Sequence, residues 1–132
     1  MMTENKHKND RSVMILRRLA RGIGTLMASL WLFIVVMSIF TESTAMDPES
    51  AIMAILIFSS IFGVIVAWFR ELEGGIILLI VAIAHSTFAF IVAGHNTGLA
   101  MLISGGPFFL IGSLFIATWR RSKKLHVSAN DI

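Results

Sequence analysis

The 132-residue chain contains no cysteine and no tyrosine. The absence of cysteine excludes disulfides, thiolate nucleophiles and cysteine-ligated metals. The sequence also lacks an HExxH zinc motif, a phosphate-binding P-loop and a GxSxG nucleophile elbow. Because an enzyme needs a nucleophile beside a base, or a cluster of metal ligands, we expect a protein that is not an enzyme and that uses no cofactor.

Charged side chains are missing from four long apolar stretches, which cover residues 23–40, 51–69, 75–94 and 100–119. A helix rises about 1.5 Å per residue, so about 20 residues cross the ~30 Å hydrocarbon core of a bilayer. The chain is 56% hydrophobic, which is more than a soluble domain of this length can enclose. The sequence therefore predicts an all-α membrane protein, in which residues 23–119 form an up-down bundle of four transmembrane helices.

Lysine and arginine are absent from two of the three segments that connect these stretches, residues 41–50 and 95–99. Of the eleven Lys and Arg residues, six lie in residues 1–22, four in residues 120–132 and one at Arg70. Short basic segments stay on the cytoplasmic side of a membrane. We therefore predict a multi-pass protein of the plasma membrane (the inner membrane of a prokaryote) with both termini in the cytoplasm.

The basic residues flank the membrane spans, and this position favours anionic lipid headgroups over nucleic acid as their partner. We expect residues 1–11 to be disordered and an interfacial helix to start near Asp10 or Ser12. Residues 120–132 form a basic tail without a structural pattern. The candidates for headgroup contact are Arg17, Arg18, Arg21, Arg120 and Arg121.

The connecting segments carry local signals. Asp47 followed by Pro48 is a typical helix start, and Gly74 or Gly75 can adopt the positive φ that ends a helix. A calcium site formed by Glu42, Asp47 and Glu49 is a weaker alternative, since the spacing matches no known calcium loop. Signal-peptide cleavage near residues 43–45 is also disfavoured, because the preceding apolar run is longer than the usual ~7–15 residues.

Two rows of small residues repeat every four positions, and helices in membranes associate through such rows. The first row, on span one, consists of Ala20, Gly24 and Ala28. The second row, on span two, consists of Ser59, Gly63 and Ala67. We predict that these rows pack spans one and two together, so that Gly63→Leu costs more stability than Ile61→Leu.

His85 is the one ionisable residue in the middle of a span. Ionisable groups inside membranes are functional candidates by default, and histidine titrates near neutral pH. In a structural role, a neutral imidazole forms a hydrogen bond with Ser29, Ser59 or Ser60. The structural role is favoured because no carboxylate lies within a span to complete a proton relay. Haem ligation is disfavoured because no other span supplies a histidine.

Pro107 lies in span four and removes one backbone donor, so a kink is expected there. The alternative is a broken helix of the kind that exposes backbone groups to substrates in transporters.

The pattern RRLARxxG at residues 17–24 and the pattern AWxxExxGG at residues 67–75 accompany four spans in about 130 residues. Together they resemble a family of small prokaryotic membrane proteins classed as a domain of unknown function. The resemblance covers about residues 13–121 and implies no activity. Small multidrug transporters have a similar length, but they require a glutamate in the first span, which residues 23–40 lack.

Two functional hypotheses remain. The first is a non-enzymatic accessory or scaffold protein that acts through helix contacts with a membrane-protein partner or with further copies of itself. The alternative is a small transporter or channel that uses His85, the serines at 59 and 60, and the Pro107 kink.

Overall fold

The computed structural model describes residues 2–41 and 47–130, with side chains for residues 11–41, 47–124 and 127. These residues form four helices and no strand: α1 (Met2–Thr41), α2 (Pro48–Phe69), α3 (Glu71–Val92) and α4 (Thr97–Asn130). All four are long and apolar enough to cross a membrane. The predicted all-α bundle of four membrane-spanning helices is confirmed.

Two helices extend well beyond the apolar stretches. The helix α1 begins at Met2 rather than near Ser12, and α4 continues to Asn130, so the expectation of a disordered N-terminus and an unpatterned tail differs from the structure. Neither residues 2–21 nor residues 120–130 contain glycine or proline, so no residue type there interrupts a helix. Glu42 and the cleavage motif at residues 43–45 lie outside the described residues.

The helix boundaries follow local chemistry. Asp47 caps α2 and accepts a hydrogen bond from the backbone amide of Ser50 at 3.2 Å, and Pro48 occupies the first helical position. Between α3 and α4, Gly94 and Asn96 have positive φ. Gly74 and Gly75, by contrast, lie inside α3 without positive φ, so the predicted role in ending a helix is wrong.

The most extensive helix contact joins α3 to α4. A Cβ atom on Gly75 would lie 3.0 Å from the carbonyl oxygen of Gly112, and one on Gly105 would lie 2.5 Å from that of Ala82. Only glycine lets the two backbones approach so closely. Gly74 meets Ala67 of α2 in the same way, with a Cβ position 2.2 Å from the backbone nitrogen. The small residues thus make α2–α3–α4 the compact part of the bundle.

The two rows of small residues that were predicted to join α1 to α2 have different neighbours in the structure. Ala20 and Ala28 are buried, and Gly24 faces Ile111 of α4 and Val64 of α2. Gly63, however, faces Ile77 and Leu78 of α3, at about 3.1 Å from a Cβ position. The row on α2 therefore packs against α3. The sequence does not distinguish these partners, since a small residue allows close approach to whichever helix is adjacent.

The bundle has two ends, which we name by their contents. The terminal end contains the α2–α3 turn at Arg70, together with the start of the α1 span and the end of the α4 span. The loop end contains the end of α1 at Thr41, the start of α2 at Pro48 and the connection between α3 and α4. All four helices contribute to the core between the two ends, and α4 supplies its two largest fully buried side chains, Phe108 and Phe115.

Candidate functional site

His85 lies on α3 with none of its side chain exposed. The Nε2 atom is 3.2 Å from the Ser60 hydroxyl of α2, and the Nδ1 atom is 3.4 Å from the Ser104 hydroxyl of α4. The Ser60 hydroxyl donates to the carbonyl of Leu56 at 2.9 Å, so it accepts from the ring. A neutral imidazole has one donor and one acceptor nitrogen. The network therefore favours the Nε2–H tautomer, with Ser104 donating to Nδ1.

Two aromatic rings complete the surroundings of His85. Phe108 of α4 stacks on the imidazole, with centroids 4.9 Å apart and an interplanar angle of 25°. Trp31 of α1 lies 6.1 Å from His85 and 6.3 Å from Phe108. We refer to Trp31, Ser60, His85, Ser104 and Phe108 as the His85 cluster. Every helix contributes to it, so one buried ring links the whole bundle.

Of the three serines proposed as partners of His85, the structure brings Ser60 to the ring. Ser59 instead donates to the carbonyl of Ile55 in its own helix at 2.8 Å, and Ser29 lines a groove between α1 and α2. Ser104 was not predicted as a partner of His85. Its position on the next span, at a depth in the membrane similar to that of His85, is the signal in the sequence that could have identified it.

Proline 107 does not interrupt α4. The helix runs continuously from Thr97 to Asn130 with Pro107 inside it. The broken-helix alternative therefore differs from the structure, and no unwound backbone at Pro107 is available to bind a substrate.

The family comparison covers almost the whole chain. The model of a family described as a domain of unknown function, DUF7670, matches residues 9–126. The chain belongs to this family. No curated protein and no solved structure matches it.

Family membership agrees with the expected resemblance to a domain of unknown function, and it supplies no activity. The chemistry and contacts of the residues in this DUF7670 domain are therefore what indicate their roles.

The acidic residues that the structure describes lie near the two ends of the bundle. In this part of the chain, no three His, Cys, Asp or Glu residues are close enough to hold a metal ion. Asp47 is the α2 cap, and the hydrogen bonds from Ser50 lower the pKa of its carboxyl. At the other end, Arg70 pairs with Glu73 at 2.6 Å, which raises the pKa of the guanidinium. The described acidic residues thus leave the His85 cluster without a carboxylate.

Two of the five arginines proposed to contact lipid headgroups also form contacts within the protein. Arg17 forms an ion pair with Glu71 of α3, whose side chain is only 10% exposed. Arg21 donates to the carbonyl of Trp68 at 2.8 Å and lies 5.6 Å from the indole centroid. These contacts fasten α1 to the α2–α3 turn. Arg18, Arg120 and Arg121 are exposed and remain available to lipid.

Proposed function

We propose that this domain is a non-enzymatic membrane protein that acts through helix contacts, as an accessory or scaffold subunit or as a homo-oligomer. The observation that carries the proposal is the His85 cluster, in which the one ionisable residue in the middle of a span serves to hold helices together. We further propose a plasma-membrane location with both termini in the cytoplasm. The arginine and lysine distribution supports this orientation.

The geometry around His85 favours a structural role over a proton relay. Ser60 and Ser104 occupy the two ring nitrogens, and Phe108 covers a ring face. A relay needs a second titratable group along the path, whereas these partners are hydroxyls and an aromatic ring. Interhelical hydrogen bonds of this kind contribute roughly 0.6–2 kcal/mol in membranes.

The helix α1 offers the largest surface for contact with another protein. Within an apolar stretch of 18 residues in α1, only 6% of the residues are buried inside the bundle, compared with 28% for the corresponding stretch of each of the other three helices. Leu26, Leu30 and Phe33 are exposed on α1, with exposed fractions of 64%, 50% and 62%. In a single copy this face contacts lipid, and in an assembly it is available to a partner helix.

Basic residues at the terminal end support contact with anionic lipid. Arg18, Arg120 and Arg121 are exposed, and each basic residue near an anionic leaflet contributes about 1 kcal/mol. We therefore propose anionic headgroups as the lipid partner and no nucleic-acid partner.

The rival function is a small transporter or channel that uses His85 and the Pro107 region. It requires flux through a proteoliposome membrane that depends on pH and disappears in His85→Ala while the protein remains folded. The continuous α4 helix and the two serine partners of His85 weigh against this function.

The deciding experiment purifies the tagged full-length chain from native membranes in mild detergent and determines its assembly by native mass spectrometry. We expect a stoichiometric partner or a defined homo-oligomer. Phe33→Ala should reduce this assembly, whereas Phe109→Ala on α4, where the side chain is 57% exposed, should leave it intact. A monomer without a partner would contradict the proposal, as would pH-dependent flux that requires His85.

A further inference from the structure

A cavity of about 560 Å³ opens at the loop end of the bundle. It lies between the loop-end halves of α1 and α2 and is bordered by α3. Small-molecule sites in proteins usually have volumes of about 300–1,000 Å³ and mostly apolar walls. The size of this cavity is therefore suited to a compact organic molecule.

The walls of the cavity are aromatic and aliphatic. Trp31, Phe58 and Phe88 contribute rings from α1, α2 and α3, with Ala54 and Ile57 beside them. Trp31 also belongs to the His85 cluster, 6.1 Å from the imidazole. A molecule in this cavity would thus contact a side chain that packs against the centre of the bundle.

Two carboxylates, Asp47 and Glu49, line the same cavity, together with Ser38 and Ser50. Among the described residues that line the cavity, none is a lysine, arginine or histidine, and residues 22–69 contain no lysine or arginine at all. The start of α2 partly offsets the negative charge through its helix dipole. Both carboxylates are nevertheless exposed, and no described lining residue carries a positive charge that would neutralise them.

We infer that this cavity binds a lipophilic organic cation, whose charged centre lies beside Asp47 and Glu49 and whose apolar body contacts Trp31, Phe58 and Phe88. Aromatic rings attract organic cations through their quadrupoles. The carboxylates also attract a positive charge, which favours a cation over an uncharged lipid acyl chain. This ligand class goes beyond the contact function proposed above and does not depend on it.

Tetraphenylphosphonium is a suitable probe, because tetraphenylborate has nearly the same shape and the opposite charge. Both are titrated into the full-length protein in lipid nanodiscs, in a Trp68→Phe, Trp119→Phe background that leaves Trp31 as the one tryptophan. Trp31 fluorescence should change saturably with the phosphonium, and the borate should give a linear change from partitioning alone.

Variants of the two carboxylates test the charge. Glu49→Gln with Asp47→Asn should weaken phosphonium binding at least tenfold, and asparagine at position 47 retains a capping side chain. Glu73→Gln, at the opposite end of the bundle, is the matched control and should leave binding unchanged. Ala54→Phe should fill the cavity and abolish saturation, and circular dichroism should confirm that each variant is folded.

Three results would overturn the inference. The first is the absence of saturable phosphonium binding to the protein with its native carboxylates. The second is equal saturable binding of the phosphonium and the borate, which would indicate a cavity for apolar groups of any charge. The third is unchanged phosphonium affinity in the folded Asp47→Asn, Glu49→Gln variant.

Discussion

Replacing Gly105 with alanine tests the α3–α4 interface most directly. The new Cβ atom would lie 2.0 Å from the Ser86 hydroxyl oxygen and 2.5 Å from the carbonyl oxygen of Ala82. The Ser86 side chain can rotate away, but the backbone carbonyl cannot. Because ordinary contact begins at 3.4 Å, the two helices must separate locally by about 0.9 Å.

A gap of 0.5–1 Å forfeits roughly a quarter to a half of the dispersion energy of each contact that it opens. Overpacked sites in proteins lose about 1–3 kcal/mol. Rotating Ser86 also removes its 3.4 Å hydrogen bond to the carbonyl of Met101. We therefore expect Gly105→Ala to lower the free energy of unfolding by about 2–3 kcal/mol.

Gly106→Ala is the matched control, at the next position in the same helix. Its Cβ atom would meet nothing closer than a Leu102 side-chain atom at 3.9 Å, and alanine favours helix over glycine. The control should therefore be neutral or slightly stabilising. Unfolding in detergent, followed by circular dichroism, measures both variants. If their free energies of unfolding agreed within about 0.5 kcal/mol, the close contact of Gly105 with Ala82 of α3 would be refuted.

The remaining predictions concern polar contacts. A double-mutant cycle on Arg17 and Glu71 should give a coupling free energy of up to about 1 kcal/mol that salt reduces, whereas zero coupling at low salt would contradict the ion pair. The Asp47 carboxyl has a lowered pKa, so its stabilisation of α2 is present above the usual aspartate pKa and is lost as the pH falls through the lowered value. Thermal unfolding below pH 4 should show this loss, and Asp47→Ala should abolish it. His85→Phe should cost less stability than His85→Ala, because the phenylalanine ring fills the space of the imidazole. The alanine variant leaves a cavity, which should lower the free energy of unfolding by about 2–4 kcal/mol. Equal losses in a detergent unfolding assay would refute this packing argument.

The sequence predicts the membrane-spanning elements because the physics is local to each stretch. A run of about 20 residues without charge must cross the bilayer as a helix. Asp47 and Pro48 likewise mark the start of α2 through contacts within four residues. The burial of His85 follows from the same reasoning, since an ionisable group in a span turns away from lipid.

The helix ends were less predictable. A polar segment such as residues 2–10 has no apolar periodicity to indicate a helix, yet it continues one that the membrane span has already nucleated. Extending an existing helix adds one hydrogen bond for each residue fixed, so it avoids the cost of nucleation. The same reasoning applies to residues 120–130.

Helix pairing was the main feature that the sequence did not determine. In a soluble bundle the apolar stripe marks the buried face, but in a membrane both the lipid-facing and the protein-facing sides are apolar. Gly63 illustrates the difficulty, because its row of small residues is compatible with α1 and with α3, and the structure places it against Leu78 of α3. The close approach of the backbones at Gly75 and Gly105 depends on how α3 and α4 are placed relative to each other, which the sequence of either helix alone does not show.

The arrangement of the four helices links the two proposals made here. Glycines join α2, α3 and α4 closely. The helix α1 is attached by the Arg17–Glu71 pair at one end and by Trp31 beside His85 near the middle, with Ala20, Gly24 and Ala28 packed between these two contacts. Because α1 has the least buried surface, it is the helix with most area left for a partner. The cavity between α1 and α2 lies beyond the second of these attachments, towards the loop end. A ligand held there and a partner held on the exposed face of α1 would therefore act on the same helix, so each would stabilise the α1 position that it binds.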